Sequence, residues 1–223
     1  MTDLSTLAGR QAEARELMRR AGVLPVVTVA SAGQGVAIAR ALVAGGLPGV
    51  EVTLRSPAAL DAIAAIREQV PDAEVGAGTV LGAAQLRQAL DAGAGFIVSP
   101  GTPADVAEAF AEAPVPVIPG AATPTELIAL YNRGFRVAKL FPASSVGGVG
   151  LLKSLQGPLP GIRICPTGGI GPANAADYLA LSNVGCIGGS WMLKPEWLDA
   201  GDFAAVTAAA REARAIVDRV RAG

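Results

Sequence analysis

Hydrophobic and polar positions along this chain switch repeatedly between two patterns. Short, nearly continuous apolar runs alternate with longer stretches in which apolar residues recur at helical spacing. The apolar runs fall at 23–30, 50–54, 74–80, 96–99, 115–119, 136–141, 163–167 and 185–188, and each reads as a strand buried on both faces. Segment 56–70 is the clearest helix between them: Ser56 stands at the cap, Pro57 suits the first turn, and Leu60, Ile63, Ile66 and Val70 share a face. Thr102-Pro103, Thr123-Pro124 and Gly171-Pro172 repeat the cap-then-proline signal. Ala92-Gly93 and Arg133-Gly134 read as helix C-caps. A helix over 202–221 follows the last strand, and the first twenty residues read as an amphipathic surface helix.

Strands followed by helices at about 20–25 residues per unit predict an α/β fold, a single (β/α)8 TIM barrel with an extra N-terminal helix. The expected domain is one unit over 1–223. A doubly wound open sheet is the alternative. It lacks the early strand–GxGxxG–helix unit with an acidic residue downstream.

Composition narrows the chemistry. The chain has 223 residues, a formal net charge of −1 and 17% charged residues, which argues against a nucleic-acid or anionic-membrane partner. No apolar run reaches the length of a membrane span, and no basic segment leads into an apolar one as in a signal peptide, so a cytoplasmic location is expected. Cys165 and Cys186 have no C-x-x-C spacing and read as reduced packing residues. Histidine is absent, which removes Ser-His-Asp and Cys-His catalysis and histidine-based zinc sites. Lysine occurs only at 139, 153 and 194.

In a parallel barrel the chemistry gathers at the C-terminal strand ends. There the chain places Glu51, Thr53 and Arg55, which alternation puts on one face, then Thr79, Ser99-Pro100, Lys139 with Phe141, Thr167-Gly168-Gly169 and Gly188-Gly189-Ser190. Lys139 is flanked by apolar residues in Val137-Ala138-Lys139-Leu140-Phe141-Pro142. A buried amine is either paired or disposed to the neutral form, and a neutral amine attacks ketones. The two readings are a structural salt bridge with Glu51 and a nucleophile. Without histidine, Glu51 is the best general acid/base candidate, or else simply a partner for Lys139 or Arg55. Arg55 is either a surface residue or a bidentate clamp for a carboxylate. Thr79 is either a strand-end cap or a further donor to that carboxylate. The two late glycine turns suit a phosphate.

Together these segments resemble a known family. Glu51-Val52-Thr53-Leu54-Arg55, Gly76-Ala77-Gly78-Thr79-Val80, Phe96-Ile97-Val98-Ser99-Pro100-Gly101, Lys139-Leu140-Phe141-Pro142, Cys165-Pro166-Thr167-Gly168-Gly169-Ile170 and Gly188-Gly189-Ser190-Trp191 resemble the 2-keto-3-deoxy-6-phosphogluconate (KDPG) aldolase / 4-hydroxy-2-oxoglutarate aldolase family, over nearly the whole chain. The resemblance implies a (β/α)8 barrel, a homotrimer, no metal, no cofactor, and a class I aldolase that cleaves the phosphorylated keto acid to pyruvate and D-glyceraldehyde 3-phosphate. It also implies action on 4-hydroxy-2-oxoglutarate. Lys139 falls on the Schiff-base position and Glu51 on the acid/base position. Arg55 and Thr79 fall on the carboxylate site, Gly168, Gly169 and Ser190 on the phosphate site, and Thr167 on the hydroxylated middle of the substrate. Pro100, Phe141 and Gly189 join the substrate-binding set. The related 6-phosphogalactonate aldolases carry an apolar residue at the Thr167 position, so Thr167 favours the gluconate substrate. Many relatives read Phe-Pro-Ala-Glu where this chain has Phe141-Pro142-Ala143-Ser144. The other readings are the 6-phosphogalactonate aldolase, a phosphosugar isomerase or epimerase without a Schiff base, and a non-catalytic sugar-phosphate binder.

Overall fold

The structure, a computed structural model, describes residues 5–222. Each predicted apolar run overlaps a strand: β1 (Val23–Val27), β2 (Gly49–Thr53), β3 (Glu74–Gly78), β4 (Ile97–Val98), β5 (Val117–Ile118), β7 (Val137–Leu140), β8 (Arg163–Pro166) and β9 (Ile187–Gly189). The fifth run divides at Pro119, which has no N–H to give to a ladder, and continues as β6 (Gly120–Ala121). All pairings are parallel. Six strands form one sheet in the order β5-β4-β3-β2-β1-β9, and three form another in the order β6-β7-β8. Two further parallel bridges, Ile164↔Val184 and Thr167↔Gly188, link β8 to the segment around β9.

Strands in the two sheets are mostly apolar because both faces are covered. Val50, Val52, Ala138 and Leu140 point outward into a large cluster shared with the helices. Leu24, Phe96, Val98, Ile118 and Val137 point inward and form a second cluster with α1 (Leu7–Ala21). The sequence pattern makes this helix a surface element, and the structure corrects that. Leu17 and Met18 are buried, and Gln11 reaches three backbone groups. Gln11 Nε2 donates to the Val117 carbonyl at 3.1 Å, and its Oε1 accepts from the Arg136 and Val137 N–H groups at 2.8 and 3.1 Å. Thus α1 closes the N-terminal strand ends, opposite the polar mouth. Residues 1–4 of that predicted helix lie outside the described residues.

The helices are α2 (Ala32–Ala44), α3 (Ala59–Gln69), α4 (Ala83–Asp91), α5 (Ala104–Glu112), α6 (Pro124–Asn132), α7 (Gly148–Leu155), α8 (Ala175–Leu179), α9 (Pro195–Ala200) and α10 (Phe203–Ala222). Only Thr123 among the predicted proline-linked caps acts as one. Its hydroxyl accepts from the Glu126 N–H and the Glu126 carboxylate accepts from the Thr123 N–H, a full capping box. At α3 the helix starts after Ala58, and the buried Ser56 hydroxyl has no hydrogen-bond partner among the described residues. At α5 the Thr102 hydroxyl is taken elsewhere, donating to the Gly120 carbonyl at 2.9 Å. At α8 the Asn174 side chain holds a turn over Gly169 and Gly171, which delays the helix to Ala175. Both predicted C-caps form, with Gly93 and Gly134 at φ of 87° and 96°. No helix among the described residues is long and apolar enough to cross a membrane.

Candidate active site

Alternation along β7 sends Val137 and Lys139 inward and Ala138 and Leu140 toward the helices. Along β2 the same rule turns Glu51 and Thr53 inward. Lys139 and Glu51 are only 5% and 1% exposed, and they meet across the interior: Nζ donates to Oε1 at 2.9 Å and to Oε2 at 3.3 Å. Taking both groups out of water is costly, so a buried pair of this kind is weak support for stability and stronger support for chemistry. The Phe141 ring centroid lies 5.7 Å from Nζ. Room for the carboxylate comes from Gly78, where a Cβ would stand 2.2 Å from Glu51 Oε1.

Cys165 is the register partner of Lys139. Both cysteines are free and buried. A hydrogen bond between them holds the Cys165 thiol below its usual range and pushes the Cys186 thiol above it. Two residues on, the buried Thr167 hydroxyl lies 3.8 Å from Cys165 Sγ and packs on Gly188, where a Cβ would approach it to 2.2 Å. Thr79 follows β3 with φ of 63°, a rare conformation for a β-branched residue; strain of this kind costs about 1–3 kcal/mol and concentrates at functional sites. Pro100 is half-buried beside Ser99, whose Oγ accepts from the Gly120 N–H at 2.9 Å.

At the rim, Gly168 and Gly169 adopt φ of 103° and 73°, and their N–H groups find no acceptor among the described residues. Consecutive free N–H groups in such a turn form an anion-binding concavity. Ser144 packs its hydroxyl against Gly169. Gly189 lies under the Trp191 ring, where a Cβ would come within 2.1 Å. Arg55 stands two residues past Thr53, the last residue of β2. It is exposed, forms no ion pair among the described residues, and lines a cavity of about 420 Å³ together with Ser190. Thr28, Gln34 and Asp199 line that cavity too and were not signalled by any motif. A polar residue ending the first strand was the available clue to Thr28. A hollow of about 520 Å³ opens at the opposite, N-terminal strand ends. Arg20 is pinned there by Glu13 at 2.8 Å and Glu74 at 2.7 Å, and none of the predicted site residues line it. Among the described residues no group of three or more His, Cys, Asp or Glu is placed to hold a metal ion.

The chain as a whole has counterparts among known proteins. The family model described as KDPG and KHG aldolase matches residues 14–209. The chain belongs to this aldolase family. It is 47% identical over 200 residues to the KHG/KDPG aldolase of Escherichia coli K12, covering 90% of this chain and 94% of that one. Among solved structures, the Legionella pneumophila KDPG aldolase, with pyruvate captured as a covalent carbinolamine, superposes with a TM-score of 0.87. It is 35% identical, over 89% of this chain and 96% of that one. The Zymomonas mobilis ZM4 enzyme with 3-phosphoglycerate gives a TM-score of 0.85 at 42% identity, covering 91% of this chain and 95% of that one. In this chain Lys139 is buried beside the Glu51 carboxylate.

Proposed function

We propose that this protein is a class I aldolase that cleaves 2-dehydro-3-deoxy-6-phosphogluconate to pyruvate and D-glyceraldehyde 3-phosphate and that also splits 4-hydroxy-2-oxoglutarate to pyruvate and glyoxylate. The observation that carries the reading is the buried contact of Lys139 Nζ with Glu51 Oε1 at 2.9 Å, in a chain of this family. We read the two sheets, joined by the bridges from β8 to β9 and by the chain between β5 and β6, as one closed (β/α)8 barrel with α1 as an added helix. On that reading 1–223 is a single catalytic domain working in the cytoplasm as a trimer.

Lys139 attacks the C2 ketone of the substrate. Glu51, already within hydrogen-bond reach, first takes a proton from the Lys139 ammonium to free the amine; after attack a second nitrogen proton passes to the alkoxide, and the proton held on Glu51 converts that hydroxyl to water, which leaves an iminium. The iminium then accepts the C3–C4 bonding electrons while Glu51 takes the C4 hydroxyl proton, and the aldehyde departs. Protonation of the enamine at C3 and hydrolysis of the iminium release pyruvate and restore the amine. Arg55 and Thr79 hold the keto-acid carboxylate and so place C2 against Nζ. Gly168, Gly169, Gly189 and Ser190 hold the phosphate, whose remote binding energy helps fix the reacting geometry. Pro100 and Phe141 wall the pyruvate half. The Thr167 hydroxyl beside Gly188 meets the hydroxylated middle of the chain and favours the gluconate over the galactonate epimer.

Incubation with pyruvate and borohydride tests the assignment. A reduced pyruvate adduct on Lys139, located by mass spectrometry, is expected. An adduct only on Lys153 or Lys194, or none, overturns it. Glu51→Gln still forms the adduct on Lys139, but more slowly, and loses turnover by about a hundredfold or more.

A further inference from the structure

We propose that the Thr28 hydroxyl is a substrate-recognition group that only accepts hydrogen bonds, and that it reads the C5 hydroxyl of the phosphorylated six-carbon keto acid; the proposal rests on the aldolase reading of the Lys139 mouth. It follows from counting protons. Thr53 is fully buried, and its single hydroxyl proton points to the Val27 carbonyl oxygen at 3.0 Å. Thr28 Oγ1 lies 2.9 Å from Thr53 Oγ1. Thr53 has no second proton, so Thr28 is the donor in that contact, and its own proton is committed. Thr28 therefore turns only lone pairs to the cavity it shares with Arg55 and Ser190.

Lone pairs select the partner. Phosphate and carboxylate oxygens are acceptors and are repelled by such a group, whereas a substrate hydroxyl has a proton to give. The rest of the cavity wall divides the work. Arg55 only donates and suits an anion. Gln34 already accepts from the Ala30 N–H at 2.7 Å through its Oε1, which leaves its NH₂ group to donate. Asp199, on α9, is the other acceptor in this cavity.

Height along the strand identifies the hydroxyl. Val26 is the register partner of Glu51, and both Val26 and Thr28 line the cavity. Thr28, one residue past the end of β1 and two past Val26, stands about 7 Å further toward the mouth than the level of Glu51. With C2 at Lys139 and the C4 hydroxyl beside Glu51, the hydroxyl that remains in the distal half is that on C5. 4-Hydroxy-2-oxoglutarate has no hydroxyl there, so Thr28 discriminates between the two substrates of the proposed reaction.

The test compares wild type, Thr28→Val and Thr28→Ser on the natural six-carbon substrate, its 5-deoxy analogue and 4-hydroxy-2-oxoglutarate, with borohydride trapping of pyruvate as a parallel readout. Wild type is expected to favour the natural substrate over the 5-deoxy analogue by about fivefold in kcat/KM, the effect of one neutral hydrogen bond. Thr28→Val is expected to lose that preference and Thr28→Ser to keep it, while turnover of 4-hydroxy-2-oxoglutarate, whose C5 is a carboxylate that Thr28 repels, does not fall in Thr28→Val and pyruvate trapping stays at the wild-type level. A preference that survives in Thr28→Val, that is missing from wild type, or a loss in Thr28→Val that is equal on all three substrates, overturns the role of Thr28. Should Thr28→Val not fold, Thr28→Ala is read by the same criteria. Failure of trapping in wild type overturns the aldolase reading instead, and that outcome is distinct.

Discussion

Replacing Gly78 with alanine asks whether the placement of the Glu51 carboxylate governs turnover. A Cβ at this position stands 2.2 Å from Glu51 Oε1, 2.6 Å from its Cγ and 2.8 Å from its Cδ. Carbon and oxygen do not approach so closely, so the carboxylate must retreat by about 1 Å to restore ordinary contact. Strand β3 is held in register by β2 and β4, which leaves the end of the Glu51 side chain as the part able to give way. The bond to Lys139 Nζ, now 2.9 Å, then stretches beyond hydrogen-bond length. Misplacing a catalytic group by about 1 Å costs about a hundredfold in rate, and overpacking costs about 1–3 kcal/mol of stability. In a domain of this size each kcal/mol lowers the melting temperature by about 2–4 °C. The assay is steady-state pyruvate release coupled to lactate dehydrogenase, beside a thermal melt. A kcat about a hundredfold lower is expected, with KM little changed, because the proposed carboxylate and phosphate holders are untouched. A folded Gly78→Ala enzyme whose kcat lies within about threefold of wild type would refute the claim that Glu51 acts by position.

Other substitutions separate chemistry from architecture. Lys139→Met removes the pyruvate adduct and leaves Glu51 buried without a cation, at about 3–5 kcal/mol in urea unfolding; adding Glu51→Gln restores most of that stability and none of the activity. Gln11→Ala strips partners from the Val117 carbonyl and the Arg136 and Val137 N–H groups, and lowers stability by about 3 kcal/mol with kcat unchanged. Thr123→Ala removes the α6 cap for about 1 kcal/mol in thermal unfolding. The Glu126 carboxyl in that box is held below the usual glutamate range, chiefly by the Ala122 N–H and then by Thr123 against the opposing effect of burial. Its contribution is therefore present at neutral pH and is lost as pH falls through the acid range below an ordinary glutamate, which a melt taken as a function of pH follows.

The strands were legible because burial on both faces makes them nearly continuous apolar runs, and Lys139 and Glu51 stood out as charges that violate that rule. Arg55 was legible only as a residue at the C-terminal end of β2, because the strand stops at Thr53 and alternation says nothing beyond it. The proline-linked caps failed for a different reason. Whether Thr102 caps a helix depends on a competing acceptor at Gly120, on another strand, which no local pattern reveals. An amphipathic stripe such as that of α1 records that one face is buried, and is silent on whether it covers the outside of a sheet or closes its end. Thr28 was hidden by ordinariness: a threonine in a valine-rich run is a good strand former, and its orphan lone pairs emerge only from the hydrogen bonds of Thr53.

The bonds of Gln11 also set an order of events. Its partners lie 106, 125 and 126 residues further along the chain. During synthesis α1 therefore emerges well before β5 and β7 exist to receive it, and Leu17 and Met18 have nothing to cover. Contacts so distant in sequence form late, after the loops between them have closed. A segment made well before its partners is thus one of the last to be seated, and until it docks the floor of the molecule stays open to solvent and to other chains.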